Sequence, residues 1–378
     1  MSTPKIPLHI IGGGSIGLLL ASSLRLASRN SNVKLLLREH HRSRLRPQAS
    51  SPSSSSSLDQ QQEAGINISL IRPNELEKHS IYVPAEIIGD GKPDERIDNL
   101  IVTTKAMDAT TAVKSVLDRL SDKAKVIVLT NGALAVREEL KEMLNESSSN
   151  AEQNIECVVA TTTHGAHREE KHKHKHVQTS TNQSNACNDK DYVYQVVHAG
   201  SGNLWIPDTC DDVASMLHQL SNELNCTCIS ETEMEYILWE KLTANCVINP
   251  LTTLRQCKNG ALKDGRDEEV MRGITQECAD VANVRNMFQS HGDALSLLER
   301  FSYERLRSFV DQVIDDTVGN KSSMLQDLES GRDTEISYLN GFVSRMGKEY
   351  DIATPANDGI CSTIDMFSKL SRRYEHKS

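Results

Sequence analysis

The pattern of apolar positions changes character about 230 residues along the chain. Before that point, short runs rich in Val, Ile and Leu alternate with longer mixed stretches, as in sheets of parallel strands buried on both faces. The predicted strands cover residues 8–11, 33–37, 99–105, 125–131, 156–166 and 196–207. From Met234 onward the strand pattern stops and helical spacing continues to the end. The pattern therefore predicts an α/β region followed by an all-α region.

Glycines join the first predicted strand to the helix that follows it. Within "IIGGGSIGLLLA", Gly12, Gly14 and Gly17 form a G-x-G-x-x-G motif, and a second strand, "VKLLL", completes one βαβ unit. Such a turn lets backbone N–H groups and a helix N-terminus approach a pyrophosphate. A mere tight turn is the plainer alternative, but the strand-turn-helix context favours dinucleotide binding. We therefore expect a Rossmann-type, doubly wound parallel sheet in residues 1–230 and a helical substrate domain in residues 231–378.

The end of the second strand bears on the choice of nucleotide. An acidic residue there favours NAD, because it accepts a hydrogen bond from a ribose hydroxyl. This chain has Arg38, with further basic residues at His40, Arg42 and Arg44, and these suit a 2′-phosphate. Glu39 argues the other way. The pattern predicts NADP(H).

Polar residues recur every four positions along one apolar stretch, "WEKLTANCVINPLTTL". Lys241, Asn245 and Asn249 would form one stripe on a helix, since positions four apart differ by about 40°. A solvated helix edge would explain the spacing. A wall of a polar pocket would also explain it, because burying a lysine without a partner is costly. In that case Lys241 would donate protons and the amides would orient a ligand.

Two polar segments, near residues 46–65 and 168–191, are predicted to be insertions outside the fold. The first is rich in Ser, Gln and Pro and cannot bury enough apolar area to order itself. The second contains an alternation of His172, His174 and His176. No acid or thiolate stands beside them at ligand spacing, so a solvated surface segment is favoured over a metal site.

Composition narrows the classes of partner. The 42 Lys and Arg against 52 Asp and Glu give a net charge of -10, which argues against a general nucleic-acid binder. The nine cysteines show no metal-ligand spacing and suit free thiols in a reducing compartment. No stretch reaches the about 20 apolar residues of a membrane span. We expect a cytoplasmic protein and leave a mitochondrial location open. We expect it to be a monomer or a homodimer.

Longer motifs carry a resemblance to a known family. They are "IGGGSIG", "VTTKA", "LTNG", "TTTHGA", "WEKLTANCVINPLT", "CKNG" and "SSMLQDLESGRDTEISYLNG", which together span the chain outside the two polar segments. With these motifs the chain resembles ketopantoate reductase (2-dehydropantoate 2-reductase), an NADPH-dependent enzyme of pantothenate biosynthesis. The two insertions are the main departures from the family pattern.

The resemblance implies a role for each candidate residue. Lys241 would be the general acid that protonates the ketone, and Glu335 would hold the substrate hydroxyl near it. The substrate would be ketopantoate, oriented by Asn131, Asn245, Asn249, Asn259 and Ser323. The NADP(H) site would be formed by Gly12, Gly13, Gly14, Ser15, Ile16, Gly17, Arg38, Lys105 and Asn131, with no metal ion. Ser322 or Ser323 could instead only cap the next helix.

Two other functions stay open at this point. A related two-domain reductase could act on a different 2-keto acid, because such pockets differ in an apolar lining that the sequence does not locate. A non-catalytic NADP(H)-binding redox regulator would keep the glycines but lose the lysine or the glutamate. Both residues are present, which favours an enzyme.

Overall fold

The computed structural model describes residues 7–27, 32–47, 64–72, 78–90, 95–147, 154–169, 194–218, 224–289 and 294–375. The chain divides into two compact units. Unit 1 contains residues 1–130 and 137–231, and unit 2 contains residues 131–136 and 232–378. The division at 231 lies one residue from the expected boundary, but the short segment 131–136 belongs to unit 2 although it lies early in the chain.

Unit 1 contains all the strands of the described residues. They are β1 (Leu8–Ile11), β2 (Val33–Leu37), β3 (Arg46–Pro47), β4 (Ala64–Ile71), β5 (Lys78–Ile87), β6 (Ile97–Val102), β7 (Leu120–Val128), β8 (Glu156–Val159), β9 (Thr161–Thr162), β10 (Gly165–Glu169), β11 (Tyr194–Gly200), β12 (Leu204–Pro207) and β13 (Cys226–Ile229). The two strands expected in residues 156–166 and 196–207 are each divided into shorter ones.

Six strands form the parallel part of the main sheet. Their spatial order is β5-β2-β1-β6-β7-β8, and every neighbouring pair is parallel. Numbered by their place in the chain, this is the order 3-2-1-4-5-6 of the Rossmann fold. The predicted fold class is confirmed. The order reverses beside β1, which places the glycine-rich turn at the switch point, where ligands bind in such sheets.

Further strands, in a mixture of parallel and antiparallel pairs, extend this sheet. They also correct the expected limits of the insertions. β4 pairs antiparallel with β5, β11 joins β4, and β10 lies at the edge. Arg46 and Pro47 pair with Gly65 and Ala64, so these ends of the first insertion belong to the sheet. β10 includes residues 168 and 169, which were expected in the second insertion. Residues 48–63 and 170–193, which include the three alternating histidines, lie outside the described residues.

The helices of unit 1 are α1 (Ser15–Ala27), α2 (Ala106–Lys114), α3 (Ala133–Ser147), whose first turn lies in unit 2, and α4 (Asp211–His218). α1 buries a continuous run from Gly17 to Leu24. Its leucines join one apolar core with the alternate residues of β1, β2, β4 and β5. This core holds the turn between β1 and α1 in place.

Unit 2 is helical in its described residues. Its helices are α5 (Glu231–Arg255), α6 (Glu268–Gln289), α7 (Ala294–Arg300), α8 (Tyr303–Asp316), α9 (Ser323–Glu329), α10 (Asn340–Glu349) and α11 (Pro355–Glu375). α5 is buried over most of its length, and Trp239 packs against Phe342 of α10. α5 starts eight residues before the motif that predicted it and ends one residue after it. Because most of α5 is buried, only a few of its polar residues are accessible to a ligand.

Two expectations about the surroundings of the protein can be compared with the structure. In the part of the chain that the structure describes, no helix is long and apolar enough to span a membrane. The eight cysteines among those residues are all free thiols, as the scattered spacing predicted. The same residues contain no group of three or more His, Cys, Asp or Glu side chains that could hold a metal ion.

Candidate active site

The three glycines of the motif have three different surroundings. Gly12 has φ of +126°, a backbone conformation that side chains strain, and a Cβ there would lie 2.7 Å from the Thr103 hydroxyl oxygen. A Cβ on Gly17 would lie 2.3 Å from the Gly12 carbonyl oxygen. Gly14 differs, since its nearest neighbour would be the Thr103 carbonyl oxygen at 3.7 Å. The first and third glycines therefore allow close packing of turn and helix, and the second leaves the backbone open to a ligand.

Arg38 follows directly after β2, at the position that was predicted to contact the 2′-phosphate of NADP(H). Its side chain is 46% exposed, and Nη2 lies 3.0 Å from Oδ2 of Asp108 in the first turn of α2. Glu39, which argued for NAD, is bound to Arg42 through two hydrogen bonds of 2.6 and 2.8 Å. Arg42 also donates to Asp90. Its charge is thereby balanced by two carboxylates, which leaves Arg38 as the better candidate of the two.

Further cations stand close to the glycine-rich turn. The guanidinium carbons of Arg44 and Arg168 lie 4.8 and 5.6 Å from the ring centre of Tyr194, within cation–π range. Arg168 Nη1 also donates to the Gly13 carbonyl oxygen at 3.3 Å. The Tyr194 hydroxyl is hydrogen-bonded to Nδ1 of His41. Burial, followed by the positive charges nearby, lowers the pKa of His41 to about 4, so this histidine is neutral at physiological pH.

Lys105 and Asn131, expected together at the cofactor, belong to different units. Lys105 is half-buried in unit 1 and occupies the N-cap position of α2, three residues after β6 ends. Asn131 belongs to unit 2, where its Nδ2 lies 3.4 Å from Oε2 of Glu335. Asn131 was expected in the first domain, residues 1–230, and the structure assigns it to unit 2 instead. The sequence order placed it after a strand of unit 1, and only the fold shows where it packs.

The polar stripe of α5 forms as predicted, on a helix that is otherwise buried. Lys241 and Asn245 are half-buried, and Asn249 is 6% exposed. The side-chain amide of Asn249 makes no hydrogen bond to any described residue. A solvated edge would be exposed, so this burial favours the pocket wall over the plainer alternative.

Lys241 and Glu335 act on each other electrostatically within unit 2. Loss of hydration lowers the pKa of the Lys241 ammonium to about 8, and the Glu335 carboxylate opposes this by raising it. Glu335 is itself 4% exposed. A lysine with a pKa near 8 is charged at neutral pH and gives up its proton more easily than an ordinary lysine. The pair can therefore supply a proton to a bound molecule.

A tight contact brings the "LTNG" turn against the turn that follows Glu335. Gly132 has φ of +64°, and a Cβ there would lie 2.8 Å from Cβ of Tyr338. Tyr338 belongs to a 3₁₀ helix, Ile336–Tyr338, that begins one residue after Glu335. Only glycine fits this turn without strain. The motif is visible in the sequence, but the contact that requires Gly132 is visible only in the fold.

The remaining substrate candidates have distinct environments in unit 2. Asn259 is 6% exposed and donates from Nδ2 to the Thr317 hydroxyl at 2.9 Å, while its Oδ1 has no hydrogen-bond partner among the described residues. Ser322, not Ser323, is the N-cap of α9, because its hydroxyl accepts from Leu325 N at 3.2 Å. Capping therefore does not occupy the hydroxyl of Ser323, which is half-buried.

Two models of one protein family match most of the chain. The family model described as "Ketopantoate reductase PanE/ApbA" matches residues 8–188, and its C-terminal counterpart matches residues 233–368. The 2-dehydropantoate 2-reductase of Yersinia pestis is 32% identical over 277 residues, which are 70% of this chain and 72% of that protein. The chain belongs to the ketopantoate reductase family. The resemblance stated from the motifs is thereby confirmed.

Solved structures with the same fold also match the chain. A PanE/ApbA family ketopantoate reductase from Ralstonia eutropha JMP134 matches with a TM-score of 0.65 and 20% identity, covering 97% of this chain and all of that one. A D-mandelate dehydrogenase, solved with NADH and anilino(oxo)acetate, matches with a TM-score of 0.67 and 18% identity, covering 97% and 99%. At this level of identity the two structures support the fold alone.

Proposed function

We propose that the protein is a 2-dehydropantoate 2-reductase, which reduces ketopantoate to pantoate with NADPH. The observation that carries the proposal is the electrostatic interaction of Lys241, on the polar stripe of α5, with the buried carboxylate of Glu335, in a chain of the ketopantoate reductase family. Reduction of a ketone needs a hydride at carbon and a proton at oxygen, and Lys241 would supply the proton.

Lys241 would act as general acid. Its ammonium would donate a hydrogen bond to the keto oxygen, polarise the carbonyl and transfer a proton as negative charge develops on oxygen. Burial makes the proton easier to lose, and Glu335 keeps enough of the lysine charged at neutral pH. Asn131 Nδ2 donates to Glu335 and would hold that carboxylate in its orientation.

The amides and Ser323 would bind the two polar ends of the substrate. Asn249 has an amide that no described side chain satisfies, and Asn245 lies one turn away on the same stripe. Ser323 has a hydroxyl that the helix cap leaves available for a carboxylate. Asn259 is more constrained, because Thr317 already accepts a hydrogen bond from its Nδ2. We assign substrate orientation to Asn245, Asn249 and Ser323, and a contact through Oδ1 to Asn259.

The glycine-rich turn fits a dinucleotide. Gly14 has the space that a pyrophosphate needs beside the backbone, and Ser15 starts the helix whose N-terminus would face it. Gly13 and Ile16 would contribute backbone to the same turn, and Lys105 would contact the cofactor from the start of α2. When bound, the nicotinamide supplies the hydride.

We assign the 2′-phosphate of NADPH to Arg38. Asp108 balances its charge in the structure, so a bound phosphate would compete with this carboxylate for the guanidinium. Arg38→Ala should reduce the preference for NADPH over NADH by roughly one to two decades, since hydrogen bonds between charged groups contribute about 1.5–3 kcal/mol. Asp108→Asn should instead increase the preference. The measurement is kcat/KM for each cofactor.

Arg42→Ala is the matched control for this prediction. Arg42 lies four residues further on and is bound to Glu39 and Asp90. It should leave the ratio of the two kcat/KM values within about two-fold. Equal use of NADH and NADPH by the wild-type protein would contradict the assignment of NADP(H).

The activity itself is tested by following NADPH oxidation with purified protein. Ketopantoate should be reduced with a higher kcat/KM than other 2-keto acids such as pyruvate, 2-ketoisovalerate and phenylglyoxylate. A higher value for another of these acids would identify a related reductase of the same family. If the folded protein binds NADPH but reduces none of them, a redox-regulating role replaces the proposed one.

A further inference from the structure

A proline interrupts the hydrogen bonding of α5 within its polar stripe. Pro250 lies inside the helix, between Asn249 and Leu251. Proline has no backbone N–H, so the carbonyl four residues earlier loses its helical partner. That carbonyl belongs to Cys246, which follows Asn245 directly and is fully buried. A buried carbonyl without a partner is costly, so its replacement partner is structurally important.

Asn340 supplies the missing donor from another helix. Its Nδ2 lies 3.0 Å from the Cys246 carbonyl oxygen and 2.9 Å from Oδ1 of Asn357. Asn340 is fully buried. Reversing the amide would place its oxygen against these two acceptors, so the orientation is determined by its neighbours. One amide therefore joins α5, α10 and α11.

A buried carboxylate anchors the far end of this connection. Glu277 of α6 accepts hydrogen bonds from Asn357 Nδ2 at 2.7 Å, from Asn357 N at 2.9 Å and from Ala356 N at 2.7 Å. The last two are N–H groups of the first turn of α11, which need a partner outside their own helix. The network from Glu277 to Cys246 thus links four helices of unit 2.

The near end of the network is close in sequence to Glu335. Glu335 and Asn340 are separated by the 3₁₀ turn, in which Tyr338 N donates to the Glu335 carbonyl and Leu339 N to the Ile336 carbonyl. Gly132 packs against the same turn. A displacement of Asn340 would therefore move Glu335 relative to the helix that carries Lys241.

We propose that Asn340 is a positioning residue, which sets the distance between Glu335 and Lys241 by binding the carbonyl that Pro250 leaves unpaired. It does not touch the reacting atoms. It joins the turn after Glu335 to the helix of Lys241 at the level of the polar stripe. The proposal rests on the proposed function for its effect on turnover, but the geometry that it describes can be measured without turnover.

The test is the titration of Lys241 in the full-length protein. Trace labelling with acetic anhydride across a pH series, followed by mass spectrometry of the Lys241 peptide, measures its ionisation directly. In Asn340→Leu we expect Lys241 to titrate at lower pH than in the wild type, because a displaced Glu335 raises its pKa less. We expect kcat to fall about 10- to 100-fold, as for a misplacement of about 1 Å, with unchanged NADPH affinity. An unchanged titration in folded Asn340→Leu would overturn the proposal.

Asn286→Leu is the matched control. Asn286 is 1% exposed and donates from Nδ2 to a carbonyl of its own helix, that of Ala282 at 2.7 Å. Loss of this hydrogen bond should lower the denaturation midpoint, but Lys241 should titrate at the same pH as in the wild type. A shift as large as in Asn340→Leu would mean that any buried amide of unit 2 has this effect, and the proposal would fail.

A second variant distinguishes two roles of Asn340: positioning Glu335, and only donating a hydrogen bond to the Cys246 carbonyl. Pro250→Ala restores a backbone N–H for Cys246. In Asn340→Leu/Pro250→Ala, compared with Pro250→Ala alone, we expect a partly recovered denaturation midpoint but a Lys241 titration that stays displaced. Recovery of the titration would reduce Asn340 to a structural partner of Cys246. If the single variant does not fold, this pair still decides between the two outcomes. Absence of reductase activity in the wild type would instead count against the proposed function.

Discussion

Two bases of this protein, the buried His9 of unit 1 and the half-buried Lys241 of unit 2, have strongly lowered pKa values, and loss of hydration is the largest cause in both. Loss of hydration lowers the pKa of His9 to about 4 and that of Lys241 to about 8. Their surroundings differ. Both ring nitrogens of His9 are buried without a hydrogen-bond partner among the described residues. Lys241 is half-buried and shares its stripe with two amides.

The charges around the two bases explain what each can do. His9 is surrounded by both signs, because Lys34 and Arg119 lower its pKa further while Glu86 and Glu95 raise it. These four groups pair with one another, so their charges are balanced within the cluster. Lys241 faces one carboxylate, Glu335. A shifted pKa therefore indicates burial, and only access together with convergent polar groups indicates a site.

The largest effect is expected from Lys241→Ala. The variant should lower kcat by roughly two to four decades, the usual contribution of a positioned proton donor. NADPH affinity should remain unchanged, because the glycine-rich turn belongs to unit 1. Steady-state kinetics and NADPH titration measure the two quantities.

Lys263→Ala provides the comparison for this variant. Lys263 is an exposed lysine of the same unit, paired with Asp315. It should retain wild-type kinetics within about two-fold. If Lys241→Ala also keeps its kcat while circular dichroism shows a folded protein, the contrast between the two bases disappears.

A smaller effect is expected when the carboxylate beside the lysine is removed. As the proposed proton donor, Lys241 must be protonated for reduction, so kcat/KM should be constant at low pH and fall as the pH rises through about 8. Glu335 raises the pKa of Lys241, so in Glu335→Gln this fall should begin at lower pH. Loss of a hydrogen bond to the substrate should also lower kcat/KM about ten-fold at pH 7.

Glu240→Gln tests whether the loss of any carboxylate close to Lys241 in sequence would also shift the pH profile. Glu240 precedes Lys241 but is paired with Arg300 and Arg305. We expect a less stable protein with an unshifted pH profile. A profile that is the same in wild type and Glu335→Gln would remove Glu335 from the description of the proton donor.

The smallest effect on activity, and a clear one on stability, is expected at His9. In the unfolded chain this histidine takes up a proton near pH 6.5, and in the folded protein only near pH 4. Acidification between these values therefore favours unfolding, by up to about 3 kcal/mol at the lower limit. In His9→Leu this contribution should be absent, so the two proteins should differ more in urea midpoint at pH 5 than at pH 7.

Activity provides the second half of that comparison. His9→Leu should keep kcat within about two-fold at pH 7, unlike any change at Lys241. A large loss of kcat in a stable His9→Leu protein would show that the buried charges of unit 1 contribute to function after all.

The sequence predicted the parallel sheet and the polar stripe because both depend on local patterns. Runs such as "VKLLL" and the four-residue spacing from Lys241 to Asn249 are visible without knowledge of the fold. The β4–β5 pair was missed. It is antiparallel, and β4 begins where the Ser- and Gln-rich segment ends, so its first residues looked like part of the insertion.

Partners distant in sequence could not be predicted. Nothing near Arg38 indicates Asp108, which is 70 positions away, and nothing near Asn131 indicates Glu335. The helix cap was left open between two adjacent serines, because a shift of one residue is below what capping patterns resolve. Pro250 was visible inside a helical pattern, but the residue that compensates for it was not.

The pairing of β10 with β11 has a practical consequence for protein engineering. Glu169 and Gln195 are opposite each other in the ladder, so the two ends of a domain inserted between them would join the sheet at adjacent points. A reporter domain inserted between them should destabilise the sheet only slightly, because the entropic cost of loop closure rises slowly with loop length. Arg168, which directly precedes Glu169, donates a hydrogen bond to the carbonyl oxygen of Gly13 in the glycine-rich turn. Because this hydrogen bond connects the insertion point to the glycine-rich turn, the fold is a starting point for a sensor of nicotinamide nucleotides.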